Sequence, residues 1–146
     1  TRFRVRDQFE FLMGSCPYRI NLPSDRTGES EADTEDAGTQ GWAAVSRQAL
    51  VNMTPCLFRL EGSEEVDSYP LTDDVVIGSG HSSAQITVPD PLLDDRHARL
   101  VRQADGQWLL QDLKSRNGTW LRINRSAMKR SCQFQLGEQR FILKVS

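Results

Sequence analysis

The feature of this sequence that most constrains its fold is a series of short apolar segments that recur at regular intervals after Pro55. Clusters of Gly, Asp, Ser and Pro separate the segments, and in the last one Phe141, Leu143 and Val145 alternate with other residues. Alternation with a period of two is typical of a strand that buries one face. Residues 55–146 are therefore predicted to form an all-β, antiparallel sandwich of two sheets with about 10–11 short strands. The residues expected in its core are Trp108, Leu110, Phe134, Phe141 and Leu143.

The first 54 residues are predicted to form an N-terminal extension of this domain. Apolar residues alternate with charged ones from Phe3 to Phe11, which predicts one or two strands within residues 1–23. The segment 24–41 is rich in Asp and Glu and has almost nothing to bury. It is expected to be a mobile linker, because it cannot offset the entropy lost on ordering. Residues 42–53 have loosely helical spacing and are expected to form a short helix or turn.

Composition excludes several classes of function. The 146 residues carry a formal net charge of −2, and no basic surplus of the kind that drives nucleic-acid binding is present. No apolar run is long enough to cross a membrane as a helix. The chain begins with Thr1 rather than Met, which predicts that it is a piece of a longer protein. The expected compartment is intracellular, cytoplasmic or nuclear.

Three cysteines lie far apart, and none has a partner at zinc-binding spacing. Cys56 and Cys132 alternate with apolar residues and are predicted to lie on buried strand faces, which suits a reducing compartment. Cys16, beside Pro17, is the best candidate for a regulatory thiol. No metal and no cofactor is expected.

Three segments of the sequence carry a recognisable motif: Ile77-Gly78-Ser79, then Asp94-Asp95-Arg96-His97-Ala98, then Asp112-Leu113-Lys114-Ser115-Arg116-Asn117-Gly118-Thr119-Trp120. Together they resemble the signature segments of the forkhead-associated (FHA) domain, which are Gly-Arg, Ser-x-x-His and Asn-Gly-Thr. The resemblance covers residues 55–146. It implies a β-sandwich whose loops bind phosphothreonine peptides, and a non-enzymatic protein that mediates protein–protein interaction.

The sequence departs from the family pattern where the phosphate is held. Ser79 stands at the position of the Arg that grips the phosphate, and Asp94 at the position of the Ser. Asp95 adds a second acid beside it. A phosphate dianion needs a guanidinium fork and neutral donors, and a nearby carboxylate repels it. The resemblance therefore implies a pocket that does not bind phosphothreonine in the usual way.

The candidate peptide-binding residues lie in and beside the three motifs: Ser79, Gly80, His81, Asp94, Asp95, Arg96, Ser115, Arg116 and Asn117. Those expected to shape the loops are Gly78, His97, Gly118 and Thr119. Two interpretations of Asn117 stay open. It matches the family Asn that holds the backbone of a bound peptide, and Asn-Gly also suits a tight turn for structural reasons alone. Asp90, with the two acids at 94 and 95, is predicted to lie in a solvated loop, the alternatives being a site for a basic partner or for a divalent cation.

The function predicted from these observations is a non-enzymatic protein–protein interaction module that binds its protein or peptide partner without the usual phosphate grip. One alternative is weak phosphothreonine-peptide binding through Arg116 and Asn117. Others are a regulatory or docking domain of a larger enzyme, and a homo-oligomeric assembly in which residues 1–23 add strands to a neighbour's sheet.

Overall fold

A computed structural model describes residues 1–23, 53–80 and 83–146 of the chain. The secondary-structure elements within these residues are strands. In chain order they are β1 (Arg2–Arg4), β2 (Phe9–Met13), β3 (Cys16–Asn21), β4 (Cys56–Glu61), β5 (Glu64–Pro70), β6 (Val75–Ser79), β7 (Ile86–Val88), β8 (Ala98–Arg102), β9 (Trp108–Asp112), β10 (Thr119–Leu121), β11 (Cys132–Leu136) and β12 (Gln139–Leu143).

The strands form two five-stranded sheets and one hairpin. One sheet has the order β1-β9-β8-β6-β7, the other has the order β10-β2-β3-β4-β5, and β11 pairs with β12. Neighbouring strands are antiparallel except β6 and β7, which are parallel. The predicted all-β sandwich is confirmed.

The core lies between the two five-stranded sheets. Phe11 and Ile20 from one sheet pack in a single buried cluster with Ile77 and Leu100 from the other. The period of two explains this packing: Ala98 and Leu100 of β8 are buried, while the residues between and after them are more exposed. Trp108 and Leu110 of β9 are also buried, as the sequence predicted.

Residues 1–23 supply three strands to these sheets. β1 is the edge strand of the first sheet, where it pairs with β9, and β2 and β3 lie between β10 and β4 in the second sheet. The sequence predicted one or two strands in this segment, and the structure has three. The division of the chain into an extension over 1–54 and a domain over 55–146 stays a prediction. The acidic linker over 24–41, and all but the last residue of the predicted helix or turn over 42–53, lie outside the described residues.

The C-terminal hairpin differs from the prediction. Phe134 is only half-buried, and the exposed fractions of Phe141 and Leu143 are 40% and 38%. Placing these three residues in the core was therefore wrong, because β11 and β12 pair with each other and with neither five-stranded sheet. For the same reason Cys132 is half-buried rather than buried, whereas Cys56 is buried as predicted.

Within the described residues, no helix is long and apolar enough to cross a membrane.

Candidate functional site

The three signature segments meet at one end of the sandwich, around the buried side chain of His97. The backbone N–H of His97 donates to the carbonyl of Ile77 at 2.9 Å, and the N–H of Leu113 donates to the carbonyl of His97 at 2.9 Å. The backbone N–H of Asp94 donates to the ring nitrogen Nδ1 at 3.3 Å. Nδ1 is therefore the acceptor, and Nε2 carries the proton that it donates to the carbonyl of Gly118 at 3.0 Å. One imidazole thus joins the second and third segments, which supports the structural role predicted for it.

The third segment is a turn built around Asp112. One carboxylate oxygen of Asp112 accepts hydrogen bonds from the hydroxyls of Ser115 and of Thr119, at 2.5 and 3.0 Å. The hydroxyl of Ser115 in turn accepts the backbone N–H of Gly118 at 3.1 Å. Lys114 has a positive φ of 62°, which the loop needs in order to reverse direction. Ser115 was predicted as a peptide contact, but its hydroxyl is engaged inside the turn.

Gly118 is required at its position for two reasons. Its φ is 77°, a left-handed conformation that residues with a side chain rarely adopt. A Cβ atom there would also lie 3.2 Å from Nε1 of Trp120, which donates to the carbonyl of Asn117 at 2.8 Å. The Asn-Gly pair therefore builds the turn, with Gly118 supplying the positive φ.

Asp94 and Arg116 are the closest charged pair in the site. The Asp94 carboxylate accepts the backbone N–H of Arg116 at 2.7 Å and its guanidinium Nε at 2.8 Å. The N–H of Arg116, and then its guanidinium, lower the pKa of the Asp94 carboxyl below its usual value. The Arg116 side chain is otherwise 87% exposed. The Asp94 carboxylate thus already accepts from two Arg116 donors of the kind that would bind an anion.

The first segment is tied to the second in the same manner. The hydroxyl of Ser79 donates to a carboxylate oxygen of Asp95 at 2.6 Å, and the backbone N–H of Ser79 donates to the carbonyl of Asp94 at 3.0 Å. Gly78 is buried within β6, while Gly80 and Arg96 are exposed at the rim. His81, the remaining candidate of this loop, lies outside the described residues.

The Asn117 side chain also makes a hydrogen bond within its own chain. Its side-chain Nδ2 donates to the backbone carbonyl of Leu92 at 2.9 Å. The side chain of Leu92 itself is 47% exposed, so this contact lies at the surface of the site. The Asn117 amide is therefore placed to hold a backbone carbonyl, as the family resemblance implied, but the carbonyl it holds here belongs to the preceding loop.

Asp90 was predicted to lie in a solvated loop, and this prediction was wrong. Asp90 is 5% exposed, and one of its carboxylate oxygens accepts both the backbone N–H and the hydroxyl of Ser15, at 2.7 and 2.8 Å. The other accepts the N–H of Leu92 at 2.8 Å. Burial raises the pKa of Asp90, but the hydrogen bonds from Ser15 and Leu92 outweigh burial, and the net pKa is lowered.

Asp90 and Asp112 therefore position the loops, and the sequence did not identify either role. Asp112 had a signal nearby, since an Asp three residues before Ser115 is a turn-forming arrangement. For Asp90 no local signal existed, because its partner Ser15 lies 75 residues away. Among the described residues, no group of three or more Asp, Glu, His or Cys side chains is arranged to hold a metal ion.

Comparison with known proteins matches the segment that carries these loops to one family. Residues 75–141 match the family model of the FHA domain, a stretch that runs from β6 into β12 and includes all three signature segments. Searches of curated proteins and of solved structures found no match. FHA domains are protein-interaction modules without enzymatic activity, and they typically bind phosphopeptides. Residues 75–141, slightly less than half of the chain, therefore match the forkhead-associated domain, in agreement with the resemblance carried by the three signature segments.

Proposed function

We propose that this protein binds a protein or peptide partner at the loop end of its FHA domain without requiring phosphothreonine. The observation that carries the proposal is the position of the Asp94 carboxylate, which accepts both the backbone N–H and the guanidinium Nε of Arg116. These donors would otherwise be available to a phosphate. The family's phosphate-gripping Arg is replaced by Ser79, whose hydroxyl is bonded to a second carboxylate, that of Asp95.

Repulsion from the carboxylates disfavours a phosphate at this site. Two unit charges of the same sign that are 4 Å apart repel by about 1 kcal/mol in bulk water and by about 4 kcal/mol near a protein surface. A phosphothreonine carries nearly two negative charges, so two carboxylates at the rim multiply this cost. The exposed guanidinium of Arg116 does not offset this repulsion, because it is already paired with the Asp94 carboxylate.

The surface that remains for a partner is the rim of the three loops. Its exposed members are Gly80, Asp95, Arg96 and Arg116, and Asn117 lies half-buried beside them. They present both signs of charge together with amide and backbone groups. Such a rim suits an unphosphorylated segment that makes hydrogen bonds to backbone and side chains.

The experiment is a fluorescence-anisotropy titration of labelled peptide pools with threonine or phosphothreonine at the fixed central position. We expect the wild-type protein to show no preference for the phosphorylated pool. The double variant Ser79→Arg with Asp94→Ser is expected to gain phosphate-dependent binding, because it supplies a guanidinium fork and removes a carboxylate.

The matched control is Asp74→Asn. Asp74 accepts a backbone N–H from Arg102 at 2.9 Å and a guanidinium N–H from Arg99 at 2.7 Å, the same kinds of bond that Asp94 accepts, but outside the signature loops. This variant should leave binding of both pools unchanged. A wild-type protein that prefers the phosphorylated pool, and loses the preference in Arg116→Ala, would instead support weak phosphothreonine binding through Arg116 and Asn117.

A further inference from the structure

An open groove of about 590 Å³ lies between the sandwich and the C-terminal hairpin. Phe3 of β1, Leu12 of β2 and Trp120 of β10 line it on the side of the sandwich, and Met128 and Phe134 line it on the side of the hairpin and the connection before it. Its volume is that of a ligand pocket, and such an apolar lining accepts apolar side chains. None of the exposed rim residues of the signature loops lines the groove, so it is a separate surface.

Two strand edges border the groove. β1 is the edge strand of the first sheet, and β10 is the edge strand of the second. The backbone N–H of Arg122 donates to the carbonyl of Glu10 at 3.0 Å, so hydrogen bonds to β2 alternate along β10 from that point. By this alternation the N–H and C=O groups of Thr119 and Leu121 are directed to the open edge of β10 rather than to β2. An open edge of this kind recognises an extended segment through main-chain hydrogen bonds.

Positive charge surrounds the groove, although the formal net charge of the chain is −2. Residues 122–146 contain one acid and six bases, the bases being Arg122, Arg125, Lys129, Arg130, Arg140 and Lys144. Within residues 1–23, 53–80 and 83–146, Arg125, Lys129 and Arg130 are exposed and form no ion pair. They belong to the same connection as Met128, which lines the groove. Basic residues in this position attract an acidic partner.

The shape of the groove favours an acidic peptide over a bilayer or a nucleic acid. Leu12 and Phe134 are half-buried inside the groove, whereas a bilayer takes up side chains that protrude from a surface. A nucleic-acid base stacks on an open aromatic face, but the guanidinium of Arg140 lies over the ring of Trp120, 4.9 Å from its centre.

We propose that this groove binds an extended acidic segment of a partner protein. In the complex the backbone of the segment pairs with the open edge of β10 at Thr119 and Leu121. One large apolar side chain of the segment enters the groove, and its flanking carboxylates face the basic connection over residues 122–131. This site goes beyond the loop-end site described above and does not depend on it, because the exposed rim of the loops takes no part in it.

Methyl NMR of the three methionines reports on the groove directly. Met128 lines the groove, Met13 is buried in the core, and Met53 is exposed just before β4. The full chain is labelled with ¹³C at its methionine methyl groups, and Met128→Leu assigns the Met128 signal. Met13 and Met53 then serve as internal controls in every titration.

Three matched pools of short synthetic peptides are the probes. The first pool has Phe fixed at the centre and Asp or Glu at the flanking positions. The second has Ser in place of Phe, and the third has Lys in place of Asp and Glu. We expect the first pool to shift the Met128 signal saturably and to leave those of Met13 and Met53 unchanged. The second should bind at least about tenfold more weakly because it lacks the apolar anchor, and the third should not bind.

One pair of variants tests the apolar contact. Ile123→Ser removes an exposed apolar side chain that lines the groove, and it should weaken binding of the first pool about tenfold. The matched control is Leu136→Ser, which removes an exposed apolar side chain of the hairpin outside the groove and should leave binding unchanged. Both positions are exposed, so both variants are expected to fold.

A second pair tests the charge. Lys129→Glu with Arg130→Glu should weaken binding of the first pool about tenfold, because two bases beside the groove become acids. Arg4→Glu with Arg102→Glu makes the same change in net charge on exposed residues of the first sheet that do not line the groove. This control should bind the first pool as the wild-type protein does.

Four results would overturn the proposal. The first is equal binding of the Phe and Ser pools, or equal losses in Ile123→Ser and Leu136→Ser. A Met128 shift with phosphatidylserine–phosphatidylcholine vesicles but with no peptide pool would assign the groove to a membrane surface. A shift that depends on protein concentration alone would assign it to a second copy. A Met128 signal that moves in Glu29→Gln/Glu31→Gln/Glu35→Gln without peptide would assign it to the chain's own acidic segment.

Discussion

Strand β2 and the C-terminal strand β12 are both rich in apolar residues but have different surroundings. Phe11 of β2 is 2% exposed and packs in the core, whereas Phe141 of β12 is 40% exposed. Both belong to strands that place apolar residues at alternate positions along one face. The position of a residue along a strand therefore determines which face its side chain shares. The pairing of that strand with its neighbours determines whether the face is buried.

The largest expected effect contrasts these two aromatic residues. Phe11→Ala should lower the free energy of unfolding by about 3–5 kcal/mol, because it leaves a cavity between the sheets. Phe141→Ala should lower it by about 1 kcal/mol, mostly through the lost stacking on Phe134, whose ring centre is 5.4 Å away. Urea denaturation of both variants measures the difference. Equal losses would show that β12 is as deeply packed as β2.

Much of the fold was predictable because strands and turns have local signals. The apolar segments at residues 57–60, 98–101 and 108–110, which belong to the regular series after Pro55, lie within the observed strands β4, β8 and β9. The exposure of Phe141 was not predictable, because the local sequence does not indicate which strand lies beside β12. The parallel pairing of β6 with β7 depends likewise on the path of the chain between them.

The site was predictable to a smaller extent. The motifs that contain Ser79, Asp94 and Arg116 are visible in the sequence, and their loops lie together at one end of the sandwich. The hydrogen bonds among these residues were not predictable. An Asp at position 94, where the family has Ser, does not by itself indicate which N–H groups its carboxylate accepts. The anchoring of Ser15 by Asp90 joins two distant segments, and only the folded chain brings them together.

The second prediction concerns that anchor, which joins the β2–β3 turn to the loop after β7. Asp90→Ala should cost about 2–3 kcal/mol, because it leaves the N–H groups of Ser15 and Leu92 without their acceptor. The exposed Asp73→Ala is the control and should change stability by less than about 0.5 kcal/mol. Thermal and urea unfolding at neutral pH measure both.

Asp90 should also make the stability of the folded protein depend on pH. Since the pKa of Asp90 is lowered in the folded protein, its stabilisation is present above the unfolded value near 3.8. It is lost as the pH falls through the lower folded pKa. Wild-type stability should therefore decline in that acidic window, and the decline should be shallower in Asp90→Asn. Identical acid profiles for the two proteins would contradict the hydrogen-bonded carboxylate.

The smallest expected effect compares two turn glycines. Gly118 and Gly106 have similar φ values of 77° and 80°, but an added Cβ meets Trp120 at the first and open space at the second. Gly106→Ala should cost about 1 kcal/mol for the left-handed backbone alone, and Gly118→Ala about 2 kcal/mol because Trp120 must also move. Equal costs would show that the signature turn is no tighter than an ordinary surface turn.

The proposed function requires that Asp94 keeps Arg116 from donating hydrogen bonds to a phosphate. NMR spectroscopy of the ¹⁵N-labelled wild-type protein tests it most directly, by following the backbone N–H and the guanidinium Nε of Arg116 as phosphothreonine and threonine peptide pools are added in parallel. We predict that both signals respond equally to the two pools, because the Asp94 carboxylate remains their acceptor. A saturable shift of both signals with the phosphorylated pool alone would contradict the account.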